Sequence, residues 1–193
     1  MKRSIGWFKA FAMLLLLLQV TGCAQIQMGA PRASLENLQK IRSTGTAPLA
    51  AGDFAVDPAK GAQFDRGIPL RGGNSVSSPV DGSFAKYLRA RLVAELQGAG
   101  AYDPASVLVV KGVLTQSDVE TVGTGKAVLA ARFSLEKAGT ACYEKELRVE
   151  ATWDTSFIAA IAVPAAANGY EGLYQKLVGK LFDDPDFRQA LMH

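Results

Sequence analysis

Between Ala141 and Trp153 the side chains follow an almost regular apolar–polar alternation. The apolar set is Tyr143, Leu147, Val149, Ala151 and Trp153, and the polar set is Glu144, Glu146, Arg148, Glu150 and Thr152. Successive strand residues point to opposite faces of a sheet, so this pattern predicts a long strand with one dry and one solvated face. Such a strand is typical of an antiparallel sheet, whose dry face must be covered by other elements.

The hydrophobic patterns in the rest of the chain predict further strands and the helices that cover this dry face. Further strands are predicted at 49–56, 107–115 and 127–135, with a tight hairpin turn at 138–140. Helical spacing predicts a short helix after Ser34, one over 84–97 and one over 170–181, and Asp184-Pro185 then starts a last turn. We expect an α+β fold, a two-layer sandwich in which an antiparallel meander of about four strands packs against two main helices. On the helix 84–97, Arg91 and Glu95 are expected on the outer face.

Residues 59–83 are rich in glycine, proline and serine and predict a long loop. Its tip, Arg71-Gly72-Gly73-Asn74, is a candidate partner surface, although a disordered excursion explains the composition equally well. A second candidate is the apolar connection that begins with Trp153 and Phe157. This connection either roofs the core or forms a lip that faces lipid or a partner.

The first residues have the composition of a secretory signal. Lys2, Arg3 and Lys9 are followed by an apolar run over 11–18, which is shorter than the roughly 20 residues that a spanning helix needs. The sequence Val20-Thr21-Gly22-Cys23 then resembles the lipobox of bacterial lipoproteins. The resemblance implies cleavage between Gly22 and Cys23, with a diacylglycerol and an N-acyl chain on Cys23. An ordinary cleaved signal and an uncleaved signal anchor are the alternatives.

The lipobox divides the chain into a signal peptide (1–22), a segment with the lipidated cysteine, a tether and a short helix (23–48), and a single periplasmic α+β domain (49–193). By the sorting rule that such lipoproteins follow, Ala24 in place of Asp implies the outer membrane rather than the inner one. Apart from the covalent lipid, no cofactor is expected.

The charge of the chain excludes one class of partner. Removing Lys2, Arg3 and Lys9 leaves 18 of the 21 basic side chains, which balance the 18 acidic ones. A neutral mature chain without a basic cluster is not expected to bind nucleic acid. If Cys23 is lipidated, Cys142 has no partner within the chain, so it is either a redox or dimerising thiol or a residue tolerated in the sheet.

Catalytic and metal-binding patterns are weak. The only histidine is the last residue, His193, which argues against His-based triads and metal sites. The sequence Gly123-Thr-Gly-Lys126 lacks the hydroxyl residue and the helix of a phosphate loop. The remaining candidates are Asp183, Asp184 and Asp186 for calcium and Glu144, Glu146 and Glu150 for acid–base chemistry. Helix capping and a solvated strand face explain these carboxylates better, so the chain is not expected to be an enzyme or to bind metal.

Two stretches give a further resemblance. The helix that starts at Gly82-Ser-Phe-Ala-Lys-Tyr-Leu and the ending Leu177-Val-Gly-Lys-Leu-Phe-Asp-Asp-Pro-Asp-Phe are similar to uncharacterised proteobacterial envelope lipoproteins, in particular the YajG type. The order of elements also resembles small lipoproteins that assist lipopolysaccharide assembly or lipid-transporting ABC systems. The resemblance implies a non-enzymatic lipoprotein that docks on a protein of envelope assembly or transport. The alternative is a domain that binds a small ligand or lipid between the sheet and the helices.

Overall fold

The structure is a computed structural model that describes residues 25–121, 124–154, 156 and 158–192, without the side chains of Ala62, Arg71, Ala159 and Ala160. The strands are β1 (Gln25–Gln27), β2 (Ala50–Val56), β3 (Ile68–Pro69), β4 (Ser75–Ser77), β5 (Leu108–Glu120), β6 (Gly125–Lys137) and β7 (Thr140–Trp153). The α-helices are α1 (Leu35–Thr44), α2 (Phe84–Ala99), α3 (Ala159–Asp183) and α4 (Pro185–Met192). The α+β class is therefore confirmed.

The main sheet has the strand order β2-β5-β6-β7. β5, β6 and β7 form the predicted antiparallel meander, and the Ala138-Gly139 turn joins the last two with positive φ at both residues. β2 differs from the expectation, because it pairs with β5 in parallel. The reason is that α2 lies between β2 and β5 in sequence, and a crossover helix returns the chain in the same direction.

A second sheet, absent from the sequence-based prediction, has the order β1-β4-β3. Its strands come from two segments without a clear periodicity, the predicted tether and the predicted loop 59–83. That loop is ordered and also contains three short 3-10 helices, Pro58–Lys60, Ala62–Asp65 and Arg71–Gly73. The strands in these segments are only two or three residues long, too short to show a period.

The four described α-helices correspond to the predicted short helix, the two main helices and the last turn, but the second main helix is longer than expected. α3 begins at Ala159, so the residues from Ala159 to Val163, predicted as a connection, form its first turns. Pro164 lies inside this helix as its sixth residue, where it lacks the N–H that would bond to the carbonyl of Ala160. Ser34, Ser83 and Asp184 accept backbone N–H groups at the helix starts that they precede, as the sequence predicts for Ser34 and Asp184.

The space between the main sheet and the helices is filled by large side chains. Fully buried members include Phe84, Tyr87, Phe133, Tyr170, Tyr174, Phe182 and Phe187. The Tyr170 hydroxyl lies 2.7 Å from Ser117 Oγ and 2.5 Å from the Tyr174 hydroxyl, so both buried phenols have hydrogen-bond partners. Burial raises the pKa of Tyr170 and of Tyr174 well above the usual range. The interlayer region is thus occupied by the protein's own aromatic core.

Asp184 gives a pH-dependent prediction. Its buried carboxylate accepts the N–H groups of Asp186 and Phe187 and lies 2.8 Å from Lys145 Nζ. Burial opposes ionisation, but the bonds to Lys145 and Phe187 outweigh it and leave the pKa of Asp184 below its ordinary value of 3.8.

We expect Asp184→Asn, which keeps a capping oxygen but removes the charge, to lower the free energy of unfolding by about 1–2 kcal/mol at pH 7. A lowered carboxyl pKa stabilises the fold above the unfolded-state value, and this contribution disappears as the pH falls through the folded-state value. The difference between wild type and Asp184→Asn in urea unfolding should therefore shrink below pH 3.8. A difference that is constant between pH 7 and pH 3 contradicts this account.

Candidate functional site

The N-terminal segment from Gln25 onward is bound to the rest of the protein. β1 pairs with β4, and Met28, which is buried, donates its N–H to the Ser77 carbonyl at 3.0 Å. The Gly29 N–H donates to Glu171 Oε2 at 2.8 Å, and the Gly29 carbonyl accepts the Tyr87 hydroxyl at 3.1 Å. The segment expected to be a tether, within residues 23–48, is therefore held against the domain from Gln25 to Gly29. Only Ala24 separates this bound segment from Cys23 in the sequence.

A buried polar junction holds the segment where it enters α1. The Glu95 carboxylate, with no exposed surface, accepts the Ser34 N–H at 2.8 Å, the Ser34 hydroxyl at 3.1 Å and the Asn37 amide at 3.0 Å. Arg91 Nε donates to the same carboxylate at 3.3 Å, and Arg91 Nη2 donates to Gln175 Oε1 at 3.0 Å. A buried charge is tolerated because it is paired and hydrogen-bonded, and the start of a helix favours an anion.

This junction corrects the prediction for α2, because Arg91 and Glu95 lie inside the protein rather than on its outer face. The sequence carries only an indirect signal for it. Arg91 and Glu95 are four residues apart, a spacing that suits an exposed ion pair equally well. Burial follows from the packing of α1 over α2, which the periodicity of either helix alone does not reveal.

The contacts along α3 fix the direction of the N-terminal segment. Gly29 bonds to Glu171, the Asn37 amide donates to the Gln175 carbonyl at 3.0 Å, and Lys40 forms an ion pair with Asp183 at 2.6 Å. The contacts therefore advance along the N-terminal segment from Gly29 to Lys40 while they advance along α3 from Glu171 to Asp183. The segment therefore runs alongside α3 in the same direction, and its beginning at Gln25 lies towards the first turns of that helix.

The structure brings the two predicted partner segments to α3 as well. The turn Arg71–Gly73 contacts α3, and positive φ angles at Gly72 and Gly73 explain why glycines form it. The Trp153 ring packs against α3 so closely that a Cβ at Gly169 would lie 2.8 Å from its Cε3 atom.

Part of the predicted surface gives less information. The Asn74 carbonyl accepts the Leu70 N–H at 2.7 Å, which closes the turn. Gly22, Cys23, Phe157 and the side chain of Arg71 lie outside the described residues.

β7 is an edge strand of the main sheet and is fourteen residues long. Lys180 Nζ donates to the Arg148 carbonyl at 2.8 Å, from which we infer that this carbonyl points away from β6. Backbone groups alternate between the two sides of an antiparallel strand, so the N–H and carbonyl of Glu146, Arg148 and Glu150 all point away from β6. This row of backbone groups has no partner strand among the described residues.

The acidic candidates are engaged in ion pairs on the solvated face. Glu144 lies 3.9 Å from Arg132 Nε, and Glu150 contacts both Lys126 and Arg148. Hydrogen bonding to Lys126 lowers the pKa of Glu150, the opposite of what a general acid requires. Asp183, Asp184 and Asp186 likewise pair with lysines, and the described residues contain no group of acidic, histidine and cysteine side chains suited to a metal ion.

Cys142 is exposed, as expected, because it is the unpaired residue at a bulge where Tyr143 pairs with Leu135 and Ala141 with Glu136. Its thiol donates weakly to the Leu135 carbonyl at 3.4 Å. It lines an open surface groove of about 550 Å³ together with Lys137, Thr140, Tyr143, Asp186, Gln189 and Ala190. This groove lies at the end of β7 opposite Trp153.

Within the described residues, no helix is both long enough and apolar enough to cross a membrane. No protein-family model and no curated protein matches the sequence. The fold is similar to that of a Xanthomonas campestris protein of the family DUF330, at a TM-score of 0.56 and 10% identity, over 88% of this chain and 99% of that one.

A minor lipoprotein from Acinetobacter baumannii matches 68% of this chain and 92% of its own, at 9% identity and a TM-score of 0.37. A TM-score this low carries no argument for this chain. Neither structure is named as a YajG-type protein, so that finer resemblance stays a prediction.

The junction gives a prediction for the N-terminal segment. We expect Glu95→Ala to lower the free energy of unfolding by about 3 kcal/mol, because Arg91 and Asn37 lose their buried partner. Limited proteolysis should then cleave within residues 25–44 before the rest of the domain. The matched control is Glu36→Ala, since Glu36 is an exposed carboxylate paired with Lys40 and should contribute less than about 0.5 kcal/mol. Equal stability and cleavage of the two variants would refute the assigned role of Glu95.

Proposed function

We propose that this protein is a non-enzymatic lipoprotein of the outer membrane, anchored through acyl chains on Cys23, that docks on another protein of envelope assembly or transport. The observation that carries the proposal is the bound N-terminal segment. Two residues span at most about 7 Å of extended chain, so the Gln25 Cα lies within that distance of the Cys23 Cα, whose side chain carries the lipidated sulfur. A domain held so close to its anchor presents fixed surfaces to its neighbours in the envelope.

The docking surface that we propose is the outer edge of β7, where the Arg148 carbonyl already accepts a bond from the Lys180 side chain, and the partner is an extended segment of an envelope protein that adds to the sheet as a further strand. The edge offers backbone donors and acceptors over a long strand, which is the requirement for β-strand addition. Exposed Glu146, Arg148 and Glu150 flank it and provide charges that select the partner.

Neither alternative function has an observation in its favour. A ligand site between sheet and helices needs space that Tyr87, Phe133, Tyr170 and Tyr174 occupy. Catalysis by Glu144 or Glu150 conflicts with their ion pairs to Arg132, Arg148 and Lys126. We therefore retain the anchored docking function alone.

The anchor is tested by mass and fractionation of the protein expressed with its signal. The wild type should start at Cys23, carry the mass of its acyl chains and sediment with the outer membrane, and Cys23→Ala should lose all three properties. Cys142→Ala is the matched control and should behave as the wild type, because Cys142 lies in the sheet. Ala24→Asp should move the protein to the inner membrane. An acyl-free wild-type protein in the soluble periplasmic extract would exclude the proposal.

The docking edge is tested with Glu146→Pro. Proline removes an N–H that points away from β6, so the fold should persist, as prolines are accepted on strand edges. Loss of one backbone bond to a partner strand costs about 1.4 kcal/mol, which corresponds to about a tenfold loss of affinity. The yield of an envelope protein crosslinked to the anchored domain should therefore fall about tenfold. Glu146→Gln, which keeps the N–H, is the control. Equal yields from two variants of equal unfolding midpoint would disprove edge docking.

A further inference from the structure

The first turns of α3 form an uncharged end of the protein. No charged residue occurs between Asp154 and Glu171, a stretch that includes the start of the helix. The side chains of Ile158 and Ile161 are 61% and 58% exposed there. A helix on a protein surface normally has charged or polar residues on its outer face, so this apolar end is unusual for a water-exposed helix.

The same end lies beside the point where the N-terminal segment begins. The segment runs alongside α3 in the same direction, from Gly29 beside Glu171 to Lys40 beside Asp183. β1, which precedes Gly29, therefore extends towards the start of α3. β1 pairs with β4, and the Arg71–Gly73 turn just before β4 contacts α3. The chain that carries Cys23 therefore enters the structure on the side of Gly29 that faces the start of α3, which carries Ile158 and Ile161.

We propose that the first turns of α3, through Ile158 and Ile161, insert into the interface of the membrane leaflet that holds the Cys23 acyl chains. This inference rests on the proposed lipid anchor. The start of β1 lies within about 7 Å of the Cα of the lipidated Cys23, and apolar faces of interfacial helices reach about 5–10 Å into the headgroup and acyl boundary. Two contacts, the lipid and the helix end, fix the orientation of the domain as well as its position.

The partner is a lipid surface because of what surrounds the two isoleucines. Residues 158–163 are all isoleucine, alanine or valine, and their side chains offer apolar area without the side-chain hydrogen bonds or paired charges that give a protein interface its specificity. Insertion into a bilayer requires only that apolar area lies close to the membrane, and the adjacent lipid anchor holds it there. Docking of a protein on this end is then one outcome of the test.

The test uses the full chain with its signal, so that Cys23 is processed, in a Cys142→Ser background. Cysteines that replace Ile158 or Ile161 are labelled with the polarity-sensitive dye NBD, and the protein is reconstituted into vesicles of phosphatidylethanolamine and phosphatidylglycerol. The matched control is Val107→Cys. Val107 is 61% exposed, and its carbonyl accepts the Ala138 N–H at the end of the main sheet opposite Trp153.

At 158 and 161 the dye should shift its emission to the blue and lose intensity when doxyl-labelled lipids are included, and at 107 it should do neither. Protein that floats with the vesicles but shows no quenching at 158 and 161 would overturn this inference while leaving the anchor intact. Equal quenching at all three sites overturns it too, and so does a blue shift without quenching, which indicates burial against protein. A wild-type chain without acyl mass that does not float removes the anchor, and the inference fails with it.

Discussion

The buried carboxylate of Glu95 is the interaction on which the arrangement of the N-terminal half depends. It satisfies Ser34 and Asn37 at the start of α1, and Arg91 connects the same carboxylate to Gln175 of α3. A charge without exposed surface would be strongly unfavourable if any of these partners were missing, so the three helices and the preceding segment are fixed together. By binding Ser34, the Glu95 carboxylate holds the preceding segment, which has the composition of a linker, against the folded domain.

The bound N-terminal segment limits the distance and the orientation of the domain relative to its proposed anchor. A lipoprotein on a flexible tether samples many distances from its membrane, whereas a domain whose chain is bound from Gln25 is restricted to a short distance and a narrow range of orientations if Cys23 carries the proposed anchor. The long edge of β7 then runs from Trp153, which packs against Gly169 of α3, to the opposite end at Thr140. A strand added by a partner would lie at a defined height above the membrane, which suits a protein that organises neighbours rather than one that transforms a substrate.

The sequence predicts the parts of the fold whose stabilisation is local or periodic. Alternation identifies β6 and β7, and capping residues identify the starts of α1 and α4, because these signals arise within a few neighbouring residues. The parallel pairing of β2, the short strands β1, β3 and β4 and the burial of Glu95 depend on contacts between distant segments. Of the candidate site, the sequence supplies the lipobox at Cys23 and the residues Trp153 and Gly72–Gly73, and the structure adds their common neighbour, α3.

Hydrogen exchange of the mature, membrane-reconstituted protein tests the central claim most directly, because it measures whether residues 25–34 belong to the folded domain. The Met28, Gly29 and Ser34 amides, which donate to Ser77, Glu171 and Glu95, should exchange slowly, close to the rates of amides within α1. Exchange of all three at the rate of an unstructured peptide, while α1 and α3 remain protected, would show that the segment is a free tether. The fixed position and orientation at the membrane would then have no basis.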